Sequence, residues 1–412
     1  PTSDSDLLED PMWLKLMILS NQAQSGVHNS LWVLTKTPPK YHSPETAEDS
    51  GHWKDEKGNI RLLRRTFDPD NVLALVGVYV DDLVVVSSKR SVTKAIFKAV
   101  QGLWKTSEPE YLEDQETMLF LGVRVQVTSE GIKIYQPQYA RDVLKKLCGD
   151  SHLAPRTSPV ESDGFLAKPY YKADDPAEVK DEASRKKRLQ TAIGALLWLS
   201  TRTRPDLSFA VSRMASAAST SIPECERRLR HCLQYLAGTL DKGIVYKFPK
   251  KADRMGLQIY SDASFAPEGG CSHTGSLAMI HYQNSEVLHA VSWLSVRQNG
   301  MVAKSSAEAE LIGLVTSHEV GCNLALLCEE LGSPVQPTLF TDNNAALQQL
   351  STPAPSWRSR HISIKGESLR LEIQKARLSI LYCKTADMIA DMLTKGVGAQ
   401  ILKRLLPTFM SA

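Results

Sequence analysis

The chain has 412 residues, which is too long for one ordinary hydrophobic core and predicts two or three domains. Hydrophobic residues make up 42% and charged residues 23%, close to the average of soluble globular proteins, which excludes wholesale disorder. The formal net charge is only +3, so overall charge does not mark a nucleic-acid-binding protein. Two basic clusters, residues 185–188 and 226–231, could contact phosphates, although solvated helix faces explain either cluster alone better.

The seven cysteines are scattered and never spaced as C-x-x-C, which argues against a disulfide framework and a zinc site and favours a reducing compartment. No signal segment opens the chain, and apolar stretches such as residues 193–199 are too short to cross a bilayer. We therefore expect an intracellular protein that is not secreted and does not bind membranes. Because the sequence begins at Pro1 and not at a methionine, we expect a piece of a longer protein.

The first predicted domain, residues 1–160, contains an almost continuous apolar run from residue 72 to residue 86. The run is interrupted just after Tyr79, which predicts two strands joined by a two-residue turn of Asp81 and Asp82. Two adjacent carboxylates on such a turn could hold a divalent cation, and a plain aspartate turn is the alternative. The other predicted elements are strands at residues 118–127 and 131–135 and a helix at residues 138–147.

Two further domains follow. The second, residues 161–250, combines a polar and presumed mobile stretch (161–187) with a mainly helical stretch (189–247). The third, residues 251–412, predicts three antiparallel strands and then alternating helices and strands, which build a mixed sheet with helices on its faces. Its strands are expected at 257–262, 275–282, 287–295, 338–342 and 378–383, and its helices at 306–331, 343–350, 366–375 and 387–394.

Acidic residues of the third domain are the candidate metal ligands. Asp262 and Asp342 end two of the predicted strands and could converge on one pair of cations, although either alone could be a cap or loop aspartate. Ser305 and Glu308 have the spacing of a capping box, so Glu308 has a structural explanation. We therefore assign Glu310 to the metal and keep Glu308 as the fallback.

The last predicted helix offers two more carboxylates. Asp387 and Asp391 are four residues apart and therefore share a face. The helix dipole alone would favour Asp387 in the first turn, so Asp391 is the better ligand candidate. His361 is most simply a loop histidine that makes a hydrogen bond, and a phosphate contact is the alternative.

Several segments resemble one family of proteins. Tyr-Val-Asp-Asp between apolar strands resembles the catalytic hairpin of reverse transcriptases, and residues 75–86 resemble its copia-type form. The segment that contains Leu121 and Gly122 resembles the strand pair that positions the primer terminus. Residues 193–206 and 233–239 are similar to the copia connecting segment. The resemblance covers the chain from about residue 30 onward.

The third domain resembles a copia-type ribonuclease H in six pieces that occur in the same order. They are Tyr-Ser-Asp-Ala-Ser, Trp293 with Arg297, Lys-Ser-Ser-Ala-Glu-Ala-Glu-Leu, Phe-Thr-Asp-Asn, Arg-His-Ile-Ser-Ile-Lys and Thr-Ala-Asp-Met-Ile-Ala-Asp-Met-Leu-Thr-Lys. The resemblance implies that the metal-binding carboxylates are Asp262, Glu310, Asp342 and Asp391, with Asp81 and Asp82 as the metal-binding pair of the polymerase hairpin.

The sequence is thus identified as similar to the Pol polyprotein of copia-type LTR retrotransposons. The expected fold class is a multidomain combination of α/β and α+β: a truncated reverse-transcriptase palm and thumb, a helical connection and a ribonuclease H-like mixed sheet. The resemblance implies hydrolysis of RNA in RNA–DNA hybrids with Mg²⁺ as the cofactor and Mn²⁺ as the alternative. Residues expected to hold the nucleic acid are Arg297, Arg358, Arg360 and His361.

The implied partners are an RNA–DNA hybrid, a primer–template and the remainder of the polyprotein, in a cytoplasmic particle with access to the nucleus. The third polymerase carboxylate and the fingers should precede Pro1, so the polymerase portion is not expected to act alone. Two alternatives are a non-catalytic remnant that only binds nucleic acid and another nuclease on the same fold. The upstream hairpin disfavours the second alternative.

Overall fold

The computed structural model describes residues 31–35, 52–54, 60–62, 72–87, 89–149, 152–161, 182–218, 221–247, 254–266, 271–283, 287–299, 302–331, 333–351 and 360–411. The chain divides into two compact units. The first comprises residues 1–115 and 323–335, and the second comprises residues 116–322 and 336–412. The division into three domains, with boundaries after residues 160 and 250, remains a prediction from the sequence.

The first unit contains an antiparallel hairpin and a helix that packs on it. Ala74 of the hairpin forms a small core with Val92 and Ile96, which lie four apart and so share one face of the helix. The strands are β1 (Leu31–Thr35), β2 (His52–Lys54), β3 (Ile60–Leu62), β4 (Val72–Tyr79) and β5 (Asp82–Ser87), and the helix is α1 (Arg90–Gln101). One sheet has the order β1-β4-β5, and β2 pairs with β3.

The turn between β4 and β5 differs from the prediction by one residue. Tyr79 pairs with Asp82, which is already the first residue of β5, so the two turn residues are Val80 and Asp81 and not Asp81 and Asp82. Val80 has a φ of 55°, in the left-handed region that a tight two-residue hairpin turn requires. The sequence prediction failed because valine is an unusual residue at such a position.

The second unit begins with a four-stranded antiparallel sheet of order β6-β7-β8-β9. The predicted single strand at residues 118–127 is wrong, because the chain reverses at Leu121 and Gly122. These two residues have φ angles of 50° and 73°, so they form a tight turn where a continuous strand was expected. The strands are β6 (Thr117–Phe120), β7 (Val123–Val127), β8 (Gly131–Tyr135) and β9 (Gly243–Lys247).

Strand β9 joins parts of the chain that the sequence prediction had placed in different domains. It pairs with β8 although 107 residues separate Tyr135 from Gly243 in the sequence. On its other side, Ile244 makes an antiparallel bridge with Met410. The predicted connection therefore contributes a strand to a sheet of the first predicted domain, which is consistent with their joint membership of the second unit.

A helical layer follows the sheet. Its helices share one core, which includes Leu196, Leu207, Met214 and Leu236. The helices are α2 (Pro137–Cys148), α3 (Glu182–Arg202), α4 (Ser208–Ala217) and α5 (Ile222–Ala237). The stretch predicted to be mobile ends earlier than expected, because α3 already begins at Glu182; residues 162–181 lie outside the described residues.

An ion pair is buried in this helical layer. The guanidinium of Arg204, which is 2% exposed, donates to both carboxylate oxygens of Asp206, at 2.9 and 2.8 Å. The Tyr235 hydroxyl donates to the same carboxylate at 2.8 Å, and Arg204 also donates to the backbone oxygen of Thr239 at 2.8 Å. These contacts satisfy charges that would otherwise be costly to bury.

The third predicted domain forms a mixed sheet, as the sequence predicts, and its five strands have the order β12-β11-β10-β13-β14. The first three strands in sequence pair antiparallel, and β13 and β14 add in parallel. The strands are β10 (Met255–Ser264), β11 (His273–Tyr282), β12 (Leu288–Arg297), β13 (Pro337–Thr341) and β14 (Ser379–Tyr382). The helices are α6 (Ser306–Glu330), α7 (Asn344–Ser351), α8 (Arg360–Gln374) and α9 (Ala399–Leu405).

The predicted last helix at residues 387–394 is wrong. Two short 3₁₀ helices, Thr385–Asp387 and Ile389–Leu393, occupy this segment. Met388 separates them with an extended backbone, and its side chain is buried with Cys383 and Ala390. Burial of Met388 thus competes with continuous helix, and Asp387 and Asp391 do not share a helical face.

Helix α6 is the longest described helix. By length and composition alone it could cross a bilayer, with a mean hydropathy of 1.5, so the expectation that apolar stretches are too short does not hold for it. It instead packs closely on the mixed sheet: a Cβ added at Gly321 would lie 2.3 Å from Ile259 Cδ1 of β10. Part of its apolar surface is therefore covered by the sheet.

Candidate metal centre

Parallel pairing of β10 and β13 brings two aspartates to the same end of the sheet. Tyr260 is in register with Phe340, and their rings stack with centroids 5.1 Å apart. Asp262 and Asp342 each lie two residues further on, and side chains two apart project from the same face. Asp262 is still within β10, two residues before its end, whereas Asp342 directly follows β13.

The alternative explanations as caps do not apply to these two aspartates. Asn343 is the cap of helix α7, because its Oδ1 accepts a hydrogen bond from the Ala346 N–H at 3.0 Å. Asp262 lies inside a strand and pairs with Gly275 of β11. Neither carboxylate therefore has the local structural role that a helix start would give it.

The start of helix α6 separates the roles of its two glutamates. Ser305 Oγ accepts a hydrogen bond from the Glu308 N–H at 3.2 Å, and Glu308 Oε2 accepts one from the Lys304 N–H at 2.7 Å. The predicted capping role of Glu308 is thus confirmed. Glu310, two residues on, is 5% exposed and turns toward the sheet aspartates.

Asp262, Glu310 and Asp342 form a cluster of three carboxylates. One oxygen of each lies within 4.8 Å of the other two. Burial, followed by repulsion from Asp262 and Asp342, raises the pKa of Glu310 far above its ordinary value. Glu310 Oε2 is also buried and makes no hydrogen bond, which is unusual for a polar atom in a protein interior.

The fourth predicted ligand, Asp391, lies beside this cluster and is joined to it by a lysine. Lys395 Nζ is 2.8 Å from Asp391 Oδ1 and 3.3 Å from Asp262 Oδ1. Burial and the negative charge of Asp262 raise the pKa of Asp391 to about 6. Asp262, Glu310 and Asp342 therefore lie close together, and Lys395 bridges the fourth carboxylate, Asp391, to Asp262.

Sequence reasoning missed Thr394 and Lys395. The Asp391 carbonyl oxygen accepts from the backbone N–H groups of both residues, at 3.1 and 2.9 Å, so the chain turns tightly here. The Thr394 hydroxyl donates to Asp262 Oδ2. The signal was their spacing of three and four residues from Asp391, which places side chains on one side of a helical turn.

Close packing of this turn on the sheet depends on a glycine. A Cβ added at Gly275, the pairing partner of Asp262, would lie 2.7 Å from both Leu393 Cβ and Thr394 Cγ2. It would also lie 3.0 Å from the Ala390 carbonyl oxygen, which is backbone and cannot rotate away. Gly275 therefore permits the segment of Asp391 to approach Asp262.

The donor set fits a hard divalent cation. Carboxylate oxygens are the ligands that Mg²⁺ and Mn²⁺ prefer, and neither histidine nor cysteine belongs to the cluster. The buried Oε2 of Glu310 makes no hydrogen bond and could serve as a ligand atom. Asp262, Glu310 and Asp342 could hold one cation, and Asp391 extends the set.

Comparisons with known proteins indicate the family of the chain. The chain is 30% identical over 322 residues to the retrovirus-related Pol polyprotein from transposon RE2 of Arabidopsis thaliana, a match that covers 77% of the chain and 20% of the relative. It is 29% identical to that from transposon RE1 of the same plant, with the same coverage of both chains. The chain belongs to the copia-type retrotransposon Pol polyproteins. No protein-family model matches it.

This Pol segment spans about a fifth of the length of these curated relatives. It is similar to the N-terminal RNase H domain of a Mycobacterium tuberculosis protein, with 16% identity, a TM-score of 0.25 and coverage of 34% of this chain and 91% of that one. It is also similar to the protease–reverse transcriptase of prototype foamy virus, with 14% identity, a TM-score of 0.24 and coverage of 77% and 58%. The strand order and pairing described above define a five-stranded mixed sheet within the second unit.

The hairpin that was predicted to belong to a polymerase site carries Tyr79, Asp81 and Asp82 at an exposed tip. Among the described residues, no third metal-ligating side chain groups with Asp81 and Asp82. Leu121 and Gly122, predicted to position a primer, form the turn between β6 and β7. Gln136 donates to the Gly122 carbonyl oxygen at 3.4 Å, which supports this turn.

The predicted phosphate-binding residues are only partly described. Arg297 is exposed at the end of β12. The next residue, Gln298, is buried and donates hydrogen bonds to Thr274 Oγ1 and to the Ala309 carbonyl oxygen. Arg358 lies outside the described residues, as do the side chains of Arg360 and His361 in helix α8.

Ion pairs account for much of the two basic clusters in the helical layer. Arg185 of α3 contacts Glu226 of α5 at 2.6 Å. Arg227 and Arg228 both contact Glu224, at 2.9 and 2.8 Å. These arginines therefore have acidic partners within the helical layer, and Arg228 is buried and does not lie on the solvated helix face that was expected.

Proposed function

We propose that the second unit hydrolyses the RNA strand of RNA–DNA hybrids with divalent cations held by Asp262, Glu310, Asp342 and Asp391. The observation that carries the proposal is the convergence of three carboxylates, with a buried Glu310 oxygen that has no hydrogen-bond partner. Burial of carboxylates so close together costs free energy, because their like charges repel and lose contact with water. Such a cluster is therefore expected to serve a function.

Different residues of this chain would bind the cations and the nucleic acid. Asp262, Glu310 and Asp342 would hold one cation, and Asp262 with Asp391 would hold a second. When bound, Mg²⁺ or Mn²⁺ supplies activation of a water molecule and stabilisation of the leaving oxygen. Exposed Arg297 would contact a phosphate, and the hybrid would be selected by its shape and its 2′-hydroxyl groups.

A cleavage assay with a matched pair of variants tests the proposal. The full chain, Asp262→Asn and Asp387→Asn are each incubated with labelled RNA–DNA hybrid and Mg²⁺. Asp387 is the control because it lies in the same segment as Asp391 but is exposed, outside the carboxylate cluster. We expect Asp262→Asn to lose about a hundredfold or more in rate and Asp387→Asn to retain the rate of the unaltered chain.

The main alternative is a remnant that binds nucleic acid without cleaving it. A remnant would bind hybrid equally well in all three forms and would cleave it in none. The same assay with double-stranded DNA, or with RNA alone, tests the second alternative, another nuclease on this fold. Cleavage of either substrate at the rate of the hybrid would contradict selection of RNA–DNA hybrids.

The first unit would contribute to DNA synthesis on a primer–template only when a further acidic residue completes the site of Asp81 and Asp82. We expect no primer extension by the 412-residue chain alone. The remainder of the Pol polyprotein would supply the missing parts, inside the cell and within a cytoplasmic particle that has access to the nucleus. Primer extension by the isolated chain would contradict this division of roles.

A further inference from the structure

Lys395 is the cation that the carboxylate cluster already contains. Its ammonium lies 2.8 Å from Asp391 Oδ1 and 3.3 Å from Asp262 Oδ1. The second oxygen of Asp262 accepts the Thr394 hydroxyl. Asp262 is the carboxylate that both proposed cations would share. Thr394 and Lys395 together therefore contact both of its oxygens.

The contact is more than a surface ion pair. Pairs of exposed charges contribute little to stability because water screens both partners. Here Asp262 is 1% exposed and Asp391 is half-buried, while 43% of the Lys395 side chain remains exposed. The partly exposed lysine therefore contacts a buried charge.

The two prospective cation positions are consequently unequal. Within the part of the chain that the structure describes, Glu310 and Asp342 make no ion pair, so a cation held by Asp262, Glu310 and Asp342 would meet Lys395 at one of its three ligands, Asp262. A cation between Asp262 and Asp391 would need the oxygens that Lys395 contacts. An ammonium and a divalent ion cannot share that space, because their like charges repel strongly at such distances.

We propose that Lys395 is a positioning residue: a tethered counter-ion that holds Asp262 and Asp391 together and must be displaced before the second divalent cation binds. The inference rests on the proposed function, since it presupposes cations at this cluster. It predicts two cation sites of different affinity. The site between Asp262 and Asp391 should bind its cation more weakly, because Lys395 competes for the same oxygens.

Metal binding without substrate tests this inference. Mn²⁺ is titrated into the full chain, into Lys395→Met and into Lys403→Met, and bound Mn²⁺ is counted by electron paramagnetic resonance. Lys403, an exposed lysine of α9, is the control because its loss changes the net charge equally. We expect Lys395→Met to tighten the second site by roughly tenfold or more and Lys403→Met to leave it unchanged.

A second measurement uses the unaltered chain, so it remains decisive if Lys395→Met fails to fold. Lysine acetylation is followed by mass spectrometry while Mn²⁺ is added. We expect Lys395 to become several-fold more reactive as the second site fills, and the reactivity of Lys403 to stay constant. Constant reactivity of Lys395 at saturating Mn²⁺ would overturn the inference.

The outcomes separate the two proposals. If the unaltered chain binds no Mn²⁺ at all, the proposed function fails and the inference fails with it. If the chain binds Mn²⁺ and Lys395→Met binds the second ion no more tightly, or less tightly, only the inference fails. In that case Lys395 stabilises the cluster without competing for it.

Discussion

The indole N–H of Trp293 donates a hydrogen bond of 2.7 Å to the carbonyl oxygen of Ser200. Trp293 belongs to strand β12 of the mixed sheet, and Ser200 lies in the last turn of helix α3. A second contact joins the same two layers: the ring of His273 in β11 packs edge to face on the ring of Phe209 in helix α4, with ring centroids 5.4 Å apart. The helical layer and the sheet therefore fold against each other.

Replacement of Trp293 by phenylalanine tests this contact. The variant removes one of two donors to the Ser200 carbonyl oxygen, which also accepts from the Ser208 hydroxyl at 3.2 Å, and it removes part of the packed ring. We therefore expect a loss of about 1 kcal/mol or more of unfolding free energy. Chemical denaturation measures the loss. Trp104→Phe is the control, because Trp104 is exposed; an equal effect of both variants would contradict the contact's importance.

Glu310 makes the stability of the metal-free chain depend on pH. Its pKa is raised from 4.5 to about 9 by burial and by neighbouring carboxylates, so the folded chain retains a proton that the unfolded chain releases. Stability should therefore fall as pH rises between about 4.5 and 9. Glu310→Gln should remove this fall in urea denaturation curves measured with a chelator present, and an unchanged pH slope would refute the assignment.

The capping glutamate gives the matched comparison for Glu310. Glu308→Gln keeps an oxygen that can accept from the Lys304 N–H, and we expect it to cost no more than about 1 kcal/mol. Its affinity for Mn²⁺ should equal that of the unaltered chain, whereas Glu310→Gln should bind the ion far more weakly. Loss of Mn²⁺ binding in Glu308→Gln would reverse the two roles.

Gly275 offers a test of the packing beneath Asp391. Gly275→Ala forces a methyl group against Leu393, Thr394 and a backbone oxygen, so we expect a loss of about 1–3 kcal/mol. It should also weaken Mn²⁺ binding, because Thr394 and Asp391 move away from Asp262. Gly194→Ala on helix α3, where nothing lies within 4 Å, should be stabilising by up to about 1 kcal/mol.

The buried pair of Arg204 and Asp206 should be among the most sensitive contacts of the helical layer. Arg204→Met leaves the Asp206 carboxylate buried without its cation, and we expect a loss of about 3–5 kcal/mol. Arg185→Met breaks a more exposed pair with Glu226 and should cost about 1 kcal/mol or less. Thermal unfolding of the two variants should rank them clearly, and similar losses would contradict the difference in burial.

The elements of the mixed sheet were predictable because their patterns are local. The sequence predicted β10, β11 and β12 as three antiparallel strands, and the capping pair Ser305 and Glu308 marked the start of α6 within one residue. Asp262, Glu310 and Asp342 could be named in advance because each stands at or near the end of such an element. Their convergence then follows from parallel pairing of β10 with β13.

The features that escaped prediction depend on contacts between distant residues. Leu121 and Val80 adopt left-handed backbone angles in hairpin turns, which their side chains alone do not suggest. Burial of Met388 breaks the expected final helix, and that burial depends on Cys383 and Ala390. The ammonium of Lys395 reaches Asp262 across 133 positions of sequence, a relationship that no local pattern contains.

Strand β9 imposes an order on the folding of this protein. One edge of β9 pairs with β8. At the other edge, Ile244 forms a bridge with Met410, and the Gly243 N–H donates to the Ser411 hydroxyl oxygen, 168 positions away in the sequence. Contacts between such distant positions form slowly, because a long loop must close first. During synthesis this edge therefore stays open until the ribosome has delivered residue 411, and a nascent chain meanwhile exposes an unpaired strand to its neighbours.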